Sequence, residues 1–205
     1  MLDSFLRPRI DGPLARLARP LVRLGVSANH ITWAGFLLGM IAGVLIAVEL
    51  YWSAIVFILF SRLCDGLDGA VARQTRLSDL GGFFDITLDF IFYAAIVFGF
   101  ALARPENALP AAFLLFAFMG PAATFLAYAI MAAKRGISTE LRGRKSFYYL
   151  GGLTEGSETI ITLCLMCVFP DQFAIIALIY GVMCFITAGT RIAAAWSAFS
   201  DAPHG

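Results

Sequence analysis

The sequence predicts an all-α membrane protein in which six transmembrane helices follow an N-terminal amphipathic helix at the membrane interface. Of the 205 residues, 60% are hydrophobic and 14% are charged. Together with a mean hydropathy of +0.83, these values are typical of a membrane bundle and argue against a soluble domain. The apolar residues fall into runs separated by short polar or proline-containing turns. We therefore interpret residues 1–205 as a single membrane domain.

The first element, residues 4–25, alternates aliphatic residues with arginines, which are Arg7, Arg9, Arg16, Arg19 and Arg23. So many charges make the segment too polar to cross a bilayer. The alternation favours a helix that lies in the interface against anionic headgroups. A disordered basic arm is the alternative interpretation.

Six apolar runs follow this segment, approximately at residues 30–50, 52–73, 81–102, 111–133, 150–169 and 172–196. In the first run, Gly35, Gly39 and Gly43 recur every four residues and share one helix face. Such a stripe lets another backbone approach closely, either in the same chain or in a partner chain. Ser78 and Asp79 are both good N-caps for the third run.

Six spans place both termini on the same side of the membrane, and the basic residues indicate which side. Twelve of the 15 lysine and arginine residues belong to the N-terminal segment, the turn after the second span or the loop after the fourth. The positive-inside bias therefore predicts that both termini and the turn after the second span face the cytoplasm, in a multi-pass protein of the inner (cytoplasmic) membrane.

Four aspartates lie within or beside the second and third spans: Asp65, Asp68, Asp85 and Asp89. The first two are three residues apart and the last two are four apart, so each pair shares a helix face. The short turn between the spans predicts a helical hairpin that brings the pairs together. Ionised carboxylates in apolar segments require cations, so we expect a cage of hard oxygens for Mg²⁺, Mn²⁺ or Ca²⁺. A solvated acidic helix face is the alternative, and it fits poorly with the apolar neighbours.

The aspartates belong to a longer pattern, Asp65-x2-Asp68-Gly69-x2-Ala72-Arg73-x7-Gly81-x3-Asp85-x3-Asp89. This pattern resembles the signature of the CDP-alcohol phosphatidyltransferase family (class I). Asn29 and Thr32 are similar to a Pro-Asn-x-x-Thr element of that family, with Ala28 in place of the proline. The resemblance implies a six-helix membrane enzyme, a homodimer, that transfers a phosphoalcohol from a CDP-alcohol to a hydroxyl acceptor with release of CMP.

The same resemblance implies roles for the site residues. Asp65, Asp68 and Asp85 are expected to be the principal ligands of one or two Mg²⁺ or Mn²⁺ ions. Asp89 is expected to be the catalytic base and also a metal ligand. The residues alone do not separate these roles, because a carboxylate can bind a metal and still accept a proton.

The nucleotide and its phosphates are expected to contact a second group of residues. The resemblance implies that the small residues Gly69 and Ala72 accommodate the nucleotide, and Asn29 and Thr32 belong to the same binding site. Arg73 is a natural clamp for a phosphate, although an arginine at a helix end near the interface is also common without such a role.

The acceptor pocket is predicted from the start of the fifth span and from isolated charges elsewhere: Lys145, Glu155, Glu158 and Arg191. The two glutamates share a helix face. They either line a pocket for a neutral polyol or an amine, or have a structural role in which they pair with Arg191 and Arg62.

We expect CDP-diacylglycerol as the donor, a hydroxyl acceptor and a lipid bilayer as partners, and no nucleic acid. A transferase that uses a small CDP-alcohol with a diacylglycerol acceptor is the nearest alternative. A divalent-ion transporter would also carry acids in its spans. A scaffold that kept the motif without activity is a third class.

Overall fold

A computed structural model describes residues 2–136 and 152–200, with side chains from residue 9 onward in the first range. Within these residues the chain forms seven α-helices, two short 3-10 helices and no strand. The α-helices are α1 (Leu2–Arg23), α2 (Ala28–Ala47), α3 (Tyr51–Gln74), α4 (Asp79–Ala103), α5 (Ala108–Lys134), α6 (Gly156–Val168) and α7 (Phe173–Phe199). The 3-10 helices, Pro105–Asn107 and Pro170–Gln172, precede α5 and α7.

Four helical segments are long and apolar enough to cross a membrane: Ala28–Ala47, Asp79–Ala103, Pro105–Lys134 and Pro170–Phe199. The all-helical membrane class predicted from the sequence is therefore confirmed. Helix α3 has 24 residues, but the charges of Arg62, Asp65, Asp68 and Arg73 lower its hydropathy. Helix α6 has 13 residues and spans about 20 Å at the usual rise per residue, less than the thickness of a hydrocarbon core.

Helix α6 begins at Gly156, later than the predicted start of the fifth span at Leu150. Residues 150 and 151 lie outside the described residues, and residues 152–155 are not helical. The Oγ1 atom of Thr187, on α7, accepts hydrogen bonds from the main-chain nitrogens of Leu153 and Thr154 at 3.1 and 3.2 Å. These bonds satisfy two main-chain donors outside a helix, so residues 153 and 154 are held without helical hydrogen bonds and the helix begins at Gly156.

The glycine stripe of α2 packs against helices of the same chain. A Cβ atom on Gly35 would lie 2.8 Å from Cβ of Cys64 on α3, and one on Gly43 would lie 3.1 Å from the main-chain oxygen of Ala95 on α4. A Cβ atom on Gly39 would overlap the ring of Phe92 on α4. The close neighbours of this stripe are therefore α3 and α4, and the three helices form one tightly packed unit around the aspartates.

Helix α1 packs against the C-terminal half of α3. The side chain of Ala18 is fully buried, and Leu14 lies against Gly66, whose missing side chain leaves room for it. The Nε2 atom of Gln74, in the last turn of α3, donates to the main-chain oxygen of Ala15 at 3.0 Å. The N-terminal helix is thus attached to the part of α3 that carries the aspartates.

The opposite end of the bundle is joined by Arg104, at the C-terminus of α4. Its Nη2 atom lies 3.0 Å from Glu49 in the turn between α2 and α3, and its Nη1 atom lies 2.5 Å from Asp171 in the turn before α7. The carboxylates of Asp171 and Glu49 raise the pKa of Arg104 above its usual value. Nearby, the rings of Phe100 and Phe173 stack at 4.5 Å. Three interhelical connections therefore meet at this end.

Gly99→Ala is expected to destabilise the protein, because a Cβ atom there would lie 2.5 Å from the main-chain oxygen of Gly43. Neither backbone can move without disturbing the α2–α4 contact, so we expect a loss of about 1–3 kcal/mol, seen as a lower thermal midpoint in detergent. Gly189→Ala on α7 is the matched control, since nothing lies within 4 Å of its added Cβ. Equal midpoints for the two variants would contradict the close packing of α2 on α4.

Candidate active site

The four predicted aspartates line a single cavity between α2, α3 and α4. Asp65 and Asp68 come from α3, and Asp85 and Asp89 come from the first turns of α4. The helical hairpin thus brings both pairs together, as their spacing predicts. The remaining lining residues are Thr32, Gly35, Phe36, Ser61, Arg62 and Leu88.

The aspartates differ in how far they are enclosed. Asp68 is only 5% exposed, whereas Asp85 belongs to the exposed residues. The side chains of Asp65 and Asp89 are 36% and 28% exposed. Counting residues from the turn between α3 and α4 suggests that Asp65 and Asp89 lie farthest from that turn. The exposed fractions show that Asp68 is nevertheless the most enclosed, because it lies on the side of α3 that packs within the bundle.

One oxygen of Asp68 has no hydrogen-bond partner in the part of the chain that the structure describes. Its Oδ2 atom is buried, and no donor among the described residues reaches it. A buried carboxylate oxygen without a donor is costly unless a cation is present. Among the described residues, no three His, Cys, Asp or Glu side chains are already grouped closely enough to hold a metal ion. The cavity therefore supplies the donor types for a hard cation, and the carboxylates would have to turn towards it.

Arg62 also lines this cavity, although its position there is not predicted from the sequence. Its Nη1 atom donates to Asp89 Oδ1 at 2.6 Å and lies 3.7 Å from Asp65 Oδ1. The signal in the sequence was an arginine inside an apolar run, three residues before Asp65. A charge at that position requires a counter-ion, and the acid one helical turn away is Asp65 of the motif.

Two of the predicted nucleotide-binding residues lie at the start of α2. Ser27 caps this helix by accepting a hydrogen bond from the main-chain nitrogen of His30 at 3.3 Å. The cap places Thr32 in the cavity lining and Asn29 beside the start of α4, where its Oδ1 atom is 3.4 Å from the position of a Cβ on Gly81. Both residues are thus close to the motif, although they precede it by more than 30 positions in the sequence.

The other predicted nucleotide and phosphate residues lie in the last turns of α3. The side chain of Arg73 folds back along its helix, so that its Nη1 atom is 3.2 Å from the position of a Cβ on Gly69. Its Nη2 atom lies 3.6 Å from Asp11 Oδ1 on α1, and 54% of its side chain is exposed. A glycine at position 69 therefore lets this guanidinium lie against the helix backbone near the aspartates. Ala72 is half-buried in the same turn.

The predicted acceptor residues are only partly covered by the structure. Lys145 lies outside the described residues. Glu155 is buried and accepts a hydrogen bond from the main-chain nitrogen of Gly152 at 3.3 Å. Arg191 is buried on α7, where its Nη1 atom donates to the main-chain oxygen of Pro121 at 2.9 Å. Glu158 is half-buried in the first turn of α6.

Comparison with known proteins identifies relatives along nearly the whole chain. Residues 25–196 match the sequence model of a family described as CDP-alcohol phosphatidyltransferase. The chain is 50% identical over 200 residues to the inner membrane protein YnjF of Escherichia coli (strain K12), covering 97% of this chain and 96% of that protein. It is 37% identical over 100 residues to the archaetidylinositol phosphate synthase of Pyrococcus horikoshii, covering 48% of this chain and 53% of the other.

Two crystal structures of the phosphatidylinositol phosphate synthase of Mycobacterium tuberculosis share the fold. The structure with CDP-DAG bound superposes with a TM-score of 0.74 at 20% identity and covers 94% of this chain and 98% of that one. The structure in complex with manganese and citrate has a TM-score of 0.74 at 22% identity and covers 94% and 93% of the two chains. At these identities the likeness establishes the arrangement of the helices.

Proposed function

The chain belongs to the CDP-alcohol phosphatidyltransferase family and is therefore a phosphotransferase of phospholipid synthesis, and on that premise we propose its specific reaction. It transfers the phosphatidyl group of CDP-diacylglycerol to a hydroxyl acceptor and releases CMP, with a divalent ion bound by the aspartates. The observation that carries this proposal is the convergence of four carboxylates on one cavity.

The residues of the cavity fit Mg²⁺ or Mn²⁺. Carboxylate oxygens are the ligands that these ions prefer, and Asp68 supplies a buried oxygen that still lacks a partner within the described part of the chain. Asp65, Asp68 and Asp85 would hold the ion, with Asp89 beside them. When bound, the ion supplies positive charge that stabilises the pyrophosphate and the departing CMP. The manganese in the structure of the mycobacterial relative supports this assignment.

Asp89 acts as the general base in this proposal. Its Oδ1 atom accepts the hydrogen bond from Arg62, which fixes the orientation of the carboxylate. The second oxygen can then take the proton of the acceptor hydroxyl as that oxygen attacks the phosphorus. Asp89 is half-buried, so an acceptor at the cavity can reach it while bulk water is partly excluded.

The nucleotide lies beside the last turns of α3 and the start of α2 in this proposal. Gly69 and Ala72 leave space for it, and Asn29 and Thr32 supply polar contacts. Arg73 contacts a phosphate, for which it exchanges its exposed ion pair with Asp11. The bound CDP-DAG of the mycobacterial relative supports CDP-diacylglycerol as the donor over a small CDP-alcohol.

The acceptor pocket is formed by the start of α6 and the C-terminal half of α7. Thr187 holds residues 153 and 154, which places Glu155 next to the segment of α7 that carries Arg191 one turn later. Buried side chains of both signs suit an acceptor with several hydroxyls, with or without a phosphate. The names of the archaetidylinositol phosphate synthase of Pyrococcus horikoshii and of the mycobacterial phosphatidylinositol phosphate synthase support this acceptor class. Lys145 and Glu158 are assigned to the same pocket.

We further infer that all six helices from α2 to α7 pass through the inner membrane, with α1 at the cytoplasmic interface and the aspartates open to the cytoplasm. The basic residues of the N-terminal segment, of the turn after α3 and of the loop after α5 support this placement, as does the name of the Escherichia coli relative. Helix α3 is then a charged span and helix α6 a short one. Both are tolerated in the membrane because protein surrounds their polar segments. We also assign a homodimer, as the family resemblance implies.

Purified protein is expected to release CMP from CDP-diacylglycerol only when both a divalent ion and a suitable hydroxyl acceptor are present. The measurement is CMP release with Mg²⁺ or Mn²⁺ in the presence of serine, inositol, inositol phosphate, glycerol phosphate or simple polyols, followed by identification of the lipid product. Full CMP release in excess chelator would contradict the metal-dependent mechanism. Turnover of CDP-choline with diacylglycerol would favour the alternative donor, and Mn²⁺ flux into vesicles without CMP release would favour a transporter.

A further inference from the structure

The side of α1 that faces away from α3 carries two parallel stripes of exposed residues. The basic stripe consists of residues that share a face because they are three or four apart: Arg16, Arg19 and Arg23. The apolar stripe beside it consists of residues that are seven apart: Ile10 and Leu17 in the helix, and Leu24 directly after its end. These three side chains are 45%, 54% and 78% exposed. Arginines next to exposed aliphatic residues suit the boundary of a bilayer, where anionic headgroups meet acyl chains.

The sequence of α1 makes it a weak helix in the absence of partners. It contains Pro8, Pro13 and Pro20, each of which removes a main-chain donor from the helix. Arginines three and four residues apart also repel each other unless a negative charge neutralises them. The helix therefore depends on the contacts of both its sides, with α3 on the inner side and with a negatively charged partner on the outer side.

The inner side of α1 contacts the part of α3 that carries the candidate site. Leu14 lies against Gly66, where an added Cβ atom would be 2.9 Å from Leu14 Cδ1. In the last turn of α3, the Nε2 atom of Gln74 donates to the main-chain oxygen of Ala15 at 3.0 Å. Asp68 lies between these two contacts along α3. The position of α1 therefore affects the segment of α3 that holds an aspartate of the cavity.

We propose that α1 responds to the charge of the membrane: anionic phospholipid headgroups bind its basic stripe, hold it against α3 and thereby raise the activity of the site. Headgroups that bind the docked, helical form shift the population of α1 towards that form. Each arginine near an anionic surface strengthens the association about fivefold, so three arginines together raise the association constant by about 10²-fold. This inference goes beyond the proposed function and rests on it only where activity is measured.

The test measures amide hydrogen exchange of the full chain in nanodiscs of phosphatidylcholine alone and of phosphatidylcholine mixed with phosphatidylglycerol. Residues 9–24 are expected to exchange at least about tenfold more slowly in the anionic discs, because the headgroups stabilise the docked helix. Exchange of residues 66–74, on α3, should slow as well. Helix α7 is the internal control and should exchange equally in both discs. Inorganic phosphate added to the phosphatidylcholine discs should leave α1 unchanged, because it presents no charged surface beside acyl chains.

Two variants test whether the arginine charges are responsible. Arg16→Gln with Arg19→Gln and Arg23→Gln should lose the difference between the discs. The matched variant with lysine at the same three positions keeps the charges and should retain it. The proposal is overturned by equal exchange of residues 9–24 in both discs for wild type, by an undiminished difference in the glutamine variant, or by the same slowing with inorganic phosphate. The comparison of wild type in the two discs decides the matter even if the glutamine variant does not fold.

Activity tests whether α1 acts on the site. At saturating Mn²⁺ and a fixed fraction of CDP-diacylglycerol, CMP release with the acceptors used above should be at least about twofold faster in the anionic discs. Wild type and the lysine variant should show this increase, and the glutamine variant should not. Equal rates for wild type in both discs would overturn the coupling of α1 to the site. If no acceptor gives CMP release in either disc, the proposed function fails, while the exchange of residues 9–24 and 66–74 still decides whether anionic lipid holds α1 against α3.

Discussion

Replacing Asp89 with asparagine is expected to lower the rate of CMP release by about 10²-fold or more, the usual contribution of a general base. The asparagine oxygen can still accept the hydrogen bond that Arg62 gives to Asp89 at 2.6 Å, so the shape of the cavity is retained. The amide cannot take a proton from the acceptor. We therefore expect single-turnover rates to fall while the dissociation constants for Mn²⁺ and CDP stay close to those of wild type.

Asp171→Asn is the matched control for this variant. Asp171 is also an aspartate paired with an arginine, at 2.5 Å from Arg104, but it lies at the opposite end of the bundle. It should keep the single-turnover rate of wild type. If Asp89→Asn weakens Mn²⁺ binding as much as a change at Asp68 does, and excess Mn²⁺ restores its rate, then Asp89 is chiefly a ligand and the proton of the acceptor goes elsewhere.

Asp68→Asn is expected to weaken the binding of Mn²⁺ by about 10²-fold or more and to remove CMP release at low metal concentration. Asp68 is the most enclosed of the four aspartates and has a buried oxygen without a partner in the described residues. Its loss removes both a ligand and the charge that most requires a cation. Excess Mn²⁺ should recover part of the rate, in contrast to Asp89→Asn.

Asp68→Asn is also expected to raise the thermal midpoint of the metal-free protein. Without a cation the buried oxygen of Asp68 is a cost to the folded state, and a neutral amide lowers that cost. The increase of the midpoint on adding Mn²⁺ should shrink, because that increase depends on the ratio of ion concentration to dissociation constant. Asp79→Asn, at an exposed position of α4, should resemble wild type in both respects. A metal-free midpoint below that of wild type would refute this account of Asp68.

The sequence was sufficient to predict the helical class and the meeting of the aspartates, because both follow from local rules. Apolar runs of membrane length predict helices, and a short turn between two runs predicts a hairpin. The spacing of Asp65 and Asp68, and of Asp85 and Asp89, then places each pair on one face. No knowledge of distant contacts is needed for this part of the site.

The position of Arg62 could not be predicted in the same way, because its choice of partner depends on tertiary packing. The sequence offers several acids to an arginine inside α3, and the notion that it pairs with Glu155 or Glu158 is as consistent with the helix periodicity as its contact with Asp89. The position at which α6 begins also depends on a contact between residues distant in the sequence. Thr187, more than 30 residues away, supplies the hydrogen bonds that replace a helical turn at residues 153 and 154.

At the end of the bundle opposite the cavity, the ion pairs of Arg104 with Glu49 and Asp171 limit how the helices can move. Arg104 ties the connections before α3 and before α7 to the end of α4, whereas at the other end of the bundle α1 and α3 share the exposed ion pair of Asp11 and Arg73. When helices are joined at one end of a bundle, their largest displacements occur at the opposite end. Opening that admits a lipid should therefore occur as a tilt about the Arg104 end, and loosening that end should change the rate of lipid entry and exit before it changes the chemical step.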